Sequence, residues 1–562
     1  MIERLFGSYP DLAYAKAQRA GSLPSNIDVN EFFFLAGRWL NVPTAQQHYI
    51  SANYTHALRY VLDRGVNVVA QLVAKRGEGS EARYSLSCNP DLTLDLLKLR
   101  AEGRVDFRFI GQTNSELPFM PGDGVLAGDA FHAMLERSDF SLFAPPNFPL
   151  GFTEYAVGLN IAGLVPDGGT LQIGIGQEGD SMAQGLILRH RENAAFREMT
   201  AALRALVPPA AEHAPFTQGL YGVSEMFFAS FLALVEAGIV KREIDGTILH
   251  AAFFLGPQAF YRALREMPEA ELSRLRMTSV QFTNALYGDE EKKRNARVKA
   301  RFINNAMMAT LLGAVISDGL EDGRVVSGVG GQHDFVVQAF ALEDARSIIA
   351  LKATRHVHGK THSNILWSYD HQTIPRHLRD IVVTEYGVAD LRGKTDREVI
   401  AAMLSIADTR FQDELLRQAK EAGKIEQGYE IPAAQRENVS ERIAQALSPF
   451  RKRGLLPTFP FGTDFTPTEQ ALLPALQTLK AASTPQLLRL AVQGVFAGSE
   501  PRGDEGIAGW GSTIPRRRRT ASMRRCCAVR SANRRQTFIA CTAFAFWAQP
   551  SSMKFRSDPI ET

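Results

Sequence analysis

Short apolar runs alternate with amphipathic stretches over roughly the first 420 residues. VNVVAQLVA (66–74), VDFRFIG (105–111), FSLFA (140–144) and TLQIGIG (170–176) are too short for helices and rich in β-branched or aromatic residues. Such runs predict strands covered on both faces. GTILHAAFFLG (246–256), RVVSGVG (324–330), RSIIALKA (346–353) and DIVVTEYG (380–387) repeat the pattern further on. Between them THALRYVLDRG (55–65), closed by a glycine, the stretch 181–206 and REVIAAMLSIAD (397–408) carry helical periodicity. Strand and helix in alternation predict an α/β fold with mainly parallel sheets. Two such series predict two related α/β domains, 1–206 and 217–420, joined across a Pro- and Ala-rich aperiodic stretch near 207–216. After about residue 420 the strand signals stop, and 421–496 reads as a helical extension. In it, 457–483 should be a loop and then a helix capped by Thr466 or Thr468.

Composition changes this picture at one end only. The 562 residues are 45% hydrophobic and 22% charged with a formal net charge of +3, ordinary for a globular protein of two to four domains. From Ser499 onward, however, 11 Arg and 1 Lys face 5 acidic residues, a net of +7 that leaves the first 498 residues at −4. Cys526, Cys527 and Cys541 also lie there, so Cys88 is the body's single cysteine and no internal disulfide is expected in it. The segment 497–562 has no periodicity. It is expected to be a disordered appendage or the product of a reading-frame slip, and nucleic acid is not expected as a partner of the mildly acidic body. No apolar leader opens the chain, and FIACTAFAFWA (538–548) is too short to span a bilayer. A cytoplasmic protein with no membrane partner is the resulting expectation.

Four motifs carry candidate chemistry. SGVGGQHDF (327–335) places three glycines within four residues, as in loops that bring main-chain N–H groups close to a ligand; taken alone it reads first as a tight turn. GIGQEG (174–179) has the outline of a dinucleotide fingerprint, but the window where an acidic strand end should follow is the charged, helical RHRENAAFREM. A nicotinamide site is therefore not expected, although the glycines still imply close backbone approach. Glu225, in GVSEM, follows a glycine at the start of an apolar, helix-like run, where it could serve as a helix N-terminal acid. A buried carboxylate beside an apolar helix is costly unless it is used. His356, His358 and His362 match no zinc spacing, and no metal is expected.

Together DGGTLQIGIG (167–176), GVSEM (222–226), SGVGGQHDF (327–335), RSIIALKAT (346–354) and DIVVTEYGVADLRGK (380–394) resemble the acetyl-CoA hydrolase/transferase family, class I CoA-transferases such as succinyl-CoA:acetate and 4-hydroxybutyrate CoA-transferases. The resemblance runs over roughly residues 10 to 480. It implies two related α/β domains with the active site between them, a nucleophilic glutamate matching Glu225, and a donor loop matching Gly328, Gly330, Gly331 and Gln332. TNALYG (283–288) resembles a short family strand ending in Asn, which makes Asn284 a CoA anchor, and Gly174 and Gly176 are implied to line the carboxylate pocket. The implied activity is CoA transfer between a short-chain acyl-CoA and a carboxylate, with acetate as one partner, through a glutamyl-CoA thioester. The alternative is acetyl-CoA hydrolysis at the same site. Coenzyme A is then a substrate, no cofactor is implied, and a homodimer is expected from family habit. Ala229-Ser230 and HSNILW (362–367) depart from the family pattern and bear on acyl specificity.

Overall fold

The computed structural model describes residues 12–136, 140–203, 211–357 and 359–473. The basic tail, the helix expected beyond 473, part of the expected hinge, and His358 lie outside the described residues. Two compact units are present. The larger, Phe6–Arg355 with Ser363–Asp464, holds both principal sheets and every candidate site residue. In the smaller, the Thr466 hydroxyl accepts the Glu469 N–H and the Glu469 carboxylate accepts the Thr466 N–H, the reciprocal cap expected at a helix start.

The larger unit is built on an eight-stranded sheet. Its spatial order is Gly387–Asp390, Ile381–Thr384, Arg346–Ala350, Arg301–Asn305, Thr170–Ile173, Tyr221–Phe227, Leu249–Phe254 and Leu275–Met277. All neighbours are parallel except the first pair, where the chain turns back at Glu385 and Tyr386. The parallel, α/β character is as the sequence predicts. Thr170–Ile173, however, sits in mid-sheet between strands from the second series, so the boundary near 207–216 crosses one continuous sheet. A separate five-stranded sheet, containing Val68–Arg76 and Arg108–Thr113, is formed by residues 68–135.

The sheet is covered on both faces, and strand alternation sorts the side chains between them. Phe302 joins Tyr221, Val223, Phe335 and Ala339 on one face, while Ile303 joins Tyr155, Leu171 and Ile173 on the other. That second face is covered by helices Phe152–Ala162 and Gln177–Arg191, which pack closely because Gly158 lies against the backbone of Ser181. Helix Ser440–Lys452 packs on the same layer.

Four local expectations differ from the structure. FSLFA (140–144) forms no strand, and RVVSGVG (324–330) makes isolated bridges, Val325 with Gly319 and Gly330 with Asn53, because each lies in a connection and not along a continuous ladder. The long helix of 181–206 breaks at Glu192 into Gln177–Arg191 and Asn193–Leu203. Glu225 lies within the strand Tyr221–Phe227, and the apolar helix begins only at Ala229. Among the described residues, no helix is long and apolar enough to cross a membrane.

The Gly158 contact generates a stability prediction. A Cβ there would stand 2.4 Å from Ser181 backbone atoms, and backbone cannot rotate away. Gly158→Ala should destabilise the fold by about 1–3 kcal/mol, the usual range for overpacking. A urea unfolding midpoint unchanged from wild type would refute this account of the helix crossing.

Candidate active site

Glu225 owes its position to strand alternation. It shares a face with Tyr221 and Val223, so its carboxylate projects toward the layer that holds Val280–Asn284 and Gln332–Ala341. Pairing with Thr170–Ile173 ends at Leu171–Gly222, because that chain turns off into the Gly174–Gly176 loop. Glu225 therefore emerges at the carboxyl end of the parallel strands, where α/β folds bind ligands.

Three segments close on it. The Asn284 amide donates to Glu225 Oε2 at 2.6 Å, and its own oxygen accepts the Thr283 hydroxyl at 2.9 Å, which fixes the orientation of the amide. Asn284 ends a short helix rather than the expected strand. The glycine loop approaches from the other side. A Cβ on Gly331 would fall 1.8 Å from Glu225 Oε2, and one on Gly330 would fall 3.4 Å from Oε1. Gly330 also has φ of 60°, in the left-handed region. Gly331 then caps the helix Gln332–Ala341, whose N-terminus favours negative charge beside it. The third segment is the N-terminal chain. Tyr54 N–H donates to the Gly330 carbonyl, and Phe33 lies against Gly328 and Gly330.

Two further carboxylates were not singled out as site residues by sequence. Asp334 accepts the Thr55 hydroxyl at 2.8 Å and reaches the Asn284 amide at 3.5 Å. Asp91 accepts the Tyr54 hydroxyl. Burial raises the Glu225 carboxyl to about 8 against the opposing Asn284 hydrogen bond, and the Asp334 and Asp91 charges add to the rise. Burial likewise raises Asp334 to about 6 and lifts Asp91 above the usual carboxylate range. Asp334 had a signal, two residues after Gln332 in the quoted loop. Asp91 had none, being distant in sequence from Tyr54 and Glu225.

Glu225, Asn284, Gly330 and Gly331 thus form one contact cluster, with Gly328 a step away behind Phe33. Gln332 and the Gly174–Gly176 loop meet elsewhere, at Asn305. The Gln332 amide donates to the Asn305 carbonyl at 3.0 Å, and the Asn305 amide donates to the Ile175 carbonyl at 2.7 Å. Gln332 Oε1 is buried without a hydrogen-bond partner. Gly176 has φ of 112°, and a Cβ on Gly179 would fall 2.2 Å from the Gly174 carbonyl oxygen, so this loop needs its glycines for its own turn. His356 and His362 are exposed. Burial pushes the Cys88 thiol up to about 12, which makes it a poor nucleophile.

The fold and cluster define an α/β protein that presents a desolvated, hydrogen-bonded glutamate at the carboxyl edge of a parallel sheet. Within it, residues 256–419 match the acetyl-CoA hydrolase/transferase C-terminal domain family. Asn284 and the 327–335 loop fall inside that segment and Glu225 precedes it. The chain is 29% identical over 317 residues to a 4-hydroxybutyrate coenzyme A transferase of Clostridium kluyveri, covering 55% of this chain and 64% of the relative. It is 30% identical over 212 residues to a butyryl-CoA:acetate CoA-transferase of Anaerostipes caccae, covering 35% and 44%. The matched regions therefore span less than two thirds of these relatives. Among solved structures, RipA from Yersinia pestis superposes with a TM-score of 0.55 at 22% identity, over 69% of this chain and 78% of that one. A mutant RipA structure gives 0.58 at 21% identity, over 74% and 91%. These superpositions show the shared fold.

The raised Glu225 carboxyl has a consequence for stability. Its folded value of about 8 exceeds the unfolded 4.5, so the stability it contributes is complete below pH 4.5 and is lost as pH rises through 8. Glu225→Gln removes that titration. Across pH 5–8 the variant should gain on wild type by at most about 1.4 kcal/mol per pH unit. Parallel pH profiles of the two unfolding free energies would show that Glu225 ionises normally.

Proposed function

We propose that this protein is a CoA-transferase that moves CoA between a short-chain acyl-CoA and a carboxylate, with acetate as one partner, through covalent intermediates on Glu225. The observation that carries the reading is the contact of the Glu225 carboxylate with the Asn284 amide and the side-chain-free backbone of Gly330 and Gly331. The similarity to CoA-transferases supports it.

The chemistry follows from what the cluster can do. A Glu225 oxygen attacks the thioester carbonyl, the C–S bond breaks, and CoA leaves as thiolate from an acyl-glutamyl anhydride. The thiolate then attacks the glutamyl carbonyl and releases the first carboxylate, leaving a glutamyl-CoA thioester. An acceptor carboxylate attacks that thioester, a second anhydride forms, and the thiolate takes the new acyl group and frees Glu225. Each step develops charge on a carbonyl oxygen, so fixed N–H donors matter most. In this reading the Gly330 and Gly331 amides and the Asn284 side chain supply them. Nothing in the sequence of steps requires a metal or a redox cofactor, because coenzyme A is itself the substrate.

A carboxylate of raised basicity is a stronger nucleophile once ionised, and its ionised fraction grows with pH. kcat/KM should therefore rise with pH toward a plateau above about 8. Asp334→Asn removes a like charge and should move that inflection to lower pH, whereas Asn284→Ala removes a stabilising donor and should move it upward while costing about 10²-fold in kcat. Steady-state rates across pH 5.5–9.5 test all three, and an Asp334→Asn profile that inflects where wild type does would contradict the assigned influence of Asp334.

Trapping tests the covalent step itself. Intact mass after acetyl-CoA and borohydride should fall by about 14 Da in wild type, as the glutamyl thioester is reduced to an alcohol, and not in Glu225→Ala. Water admitted to the anhydride would hydrolyse it, so hydrolysis at the same site is the second reading. CoA release that proceeds at full rate without an acceptor carboxylate, with no mass change, would assign the protein as a hydrolase.

A further inference from the structure

A cavity of about 230 Å³ opens on the same face of the sheet as Glu225 but at the other end of the strands, bounded by Tyr221, His250 and Arg276. Its lining is polar in an unusual way. Lys293 and Arg297 are almost wholly buried, and neither makes an ion pair among the described residues. Lys293 donates to the carbonyls of Gln281, Ala285 and Tyr287, and Arg297 to those of Phe282 and Ala285 and to the Gln338 side chain. Burial lowers Arg297 to about 10 with no carboxylate charge opposing it, and burial and the Arg297 charge lower Lys293 to about 8 against Asp289, Asp95 and Glu290. A buried charge without a counter-charge is expensive, and proteins keep such groups where a ligand completes them.

The rest of the lining points the same way. Arg276 and Lys292 stand at the rim, paired with the partly exposed Asp123 and the exposed Asp245. With Asp289 included, four cations face three carboxylates. The Tyr221 hydroxyl lies 2.7 Å from His250 Nδ1, and the two share one hydrogen bond. His250 is held neutral, first by burial and then by Arg276 and Arg297. The buried Thr247, Thr278 and His250 all line the cavity, and neither threonine hydroxyl makes a side-chain hydrogen bond among the described residues. Two threonine hydroxyls and an imidazole beside an excess of cations can receive a negative oxygen.

We propose that this cavity is a binding site for a small oxyanion, a carboxylate or a phosphate, distinct from the Glu225 site. The site is connected to Glu225 through the chain itself. Phe282, Lys293 and Arg297 all bear on the helix Val280–Asn284, whose last residue donates to the Glu225 carboxylate. An occupant would therefore press on the element that positions Asn284.

The test is calorimetric titration of the full chain with inorganic phosphate and, separately, with succinate. At least one should bind wild type, and the preferred one identifies the oxyanion. Affinity should fall at least 10-fold in Lys292→Glu, an exposed substitution that leaves the core intact, and in the double variant Arg276→Gln/Lys292→Gln. Binding should persist in Glu225→Gln and under saturating CoA, shifted by less than in the rim variants, which separates this site from the catalytic one. The proposal is overturned if neither anion binds, if binding ignores both rim variants, or if CoA or Glu225→Gln abolishes it.

Discussion

The constraint on which this structure rests is the contact between a carboxylate and a backbone that has no room for a side chain. Glu225 Oε2 lies where a Cβ on Gly331 would be. Holding an ionisable group there costs several kcal/mol in lost hydration unless donors replace the water. Two parts of the fold supply the replacement. The strand Tyr221–Phe227, still paired to Leu249–Phe254, runs on past its last pair with Thr170–Ile173 and delivers the carboxylate there, and the helix Gln332–Ala341 brings its N-terminus to it. Neither part would serve without the other, because a strand end alone leaves the carboxylate in solvent and a helix end alone has nothing to bind.

The carboxylates around Glu225 make the arrangement less comfortable rather than more. Asp334 and Asp91 both oppose its ionisation, yet each is held by hydroxyl partners, Thr55 and Tyr54, on consecutive residues of one helix. That helix start also donates to the Gly330 carbonyl. One turn of chain therefore ties the acid cluster to the glycine loop. The effect is to keep the nucleophile basic while fixing its surroundings, a combination that desolvation alone would not provide.

Much of this was legible in the sequence, and what was missed follows a rule. The apolar runs 346–353 and 380–387 became central strands because parallel strands buried on both faces need no alternation. FSLFA and RVVSGVG have the same look and formed none, since a local pattern does not reveal whether a ladder partner lies alongside. Glu225 was identified from its motif but placed on the wrong element, because VSEMFF fits a strand as well as a helix start. Gly330 and Gly331 were legible because a glycine marks a lost side chain wherever it sits. Asp91 and Tyr54 were not, because their meeting with Glu225 is made by tertiary contact alone. Gly174 and Gly176 were expected at the carboxylate pocket. The positive φ of Gly176 serves the turn into Gln177–Arg191, and the loop meets Gln332 through Asn305.

The same reasoning explains why the site's far wall is built from buried cations. Asn284 ends a helix of only five residues, too short to be stable on its own. Its last carbonyls lack intrahelical partners, and Lys293 and Arg297 supply donors to those of Gln281, Phe282 and Ala285, with positive charge at a helix C-terminus where the dipole favours it. Gln338 then donates to the Asn284 carbonyl at 2.5 Å while accepting from Arg297, joining this helix to the one that begins at Gly331. The two elements that grip Glu225 are thus bonded to each other behind it. A neutral cap could satisfy the same carbonyls at lower desolvation cost, so the choice of two cations has to be accounted for by something more than capping, and an anion in the adjoining cavity accounts for it.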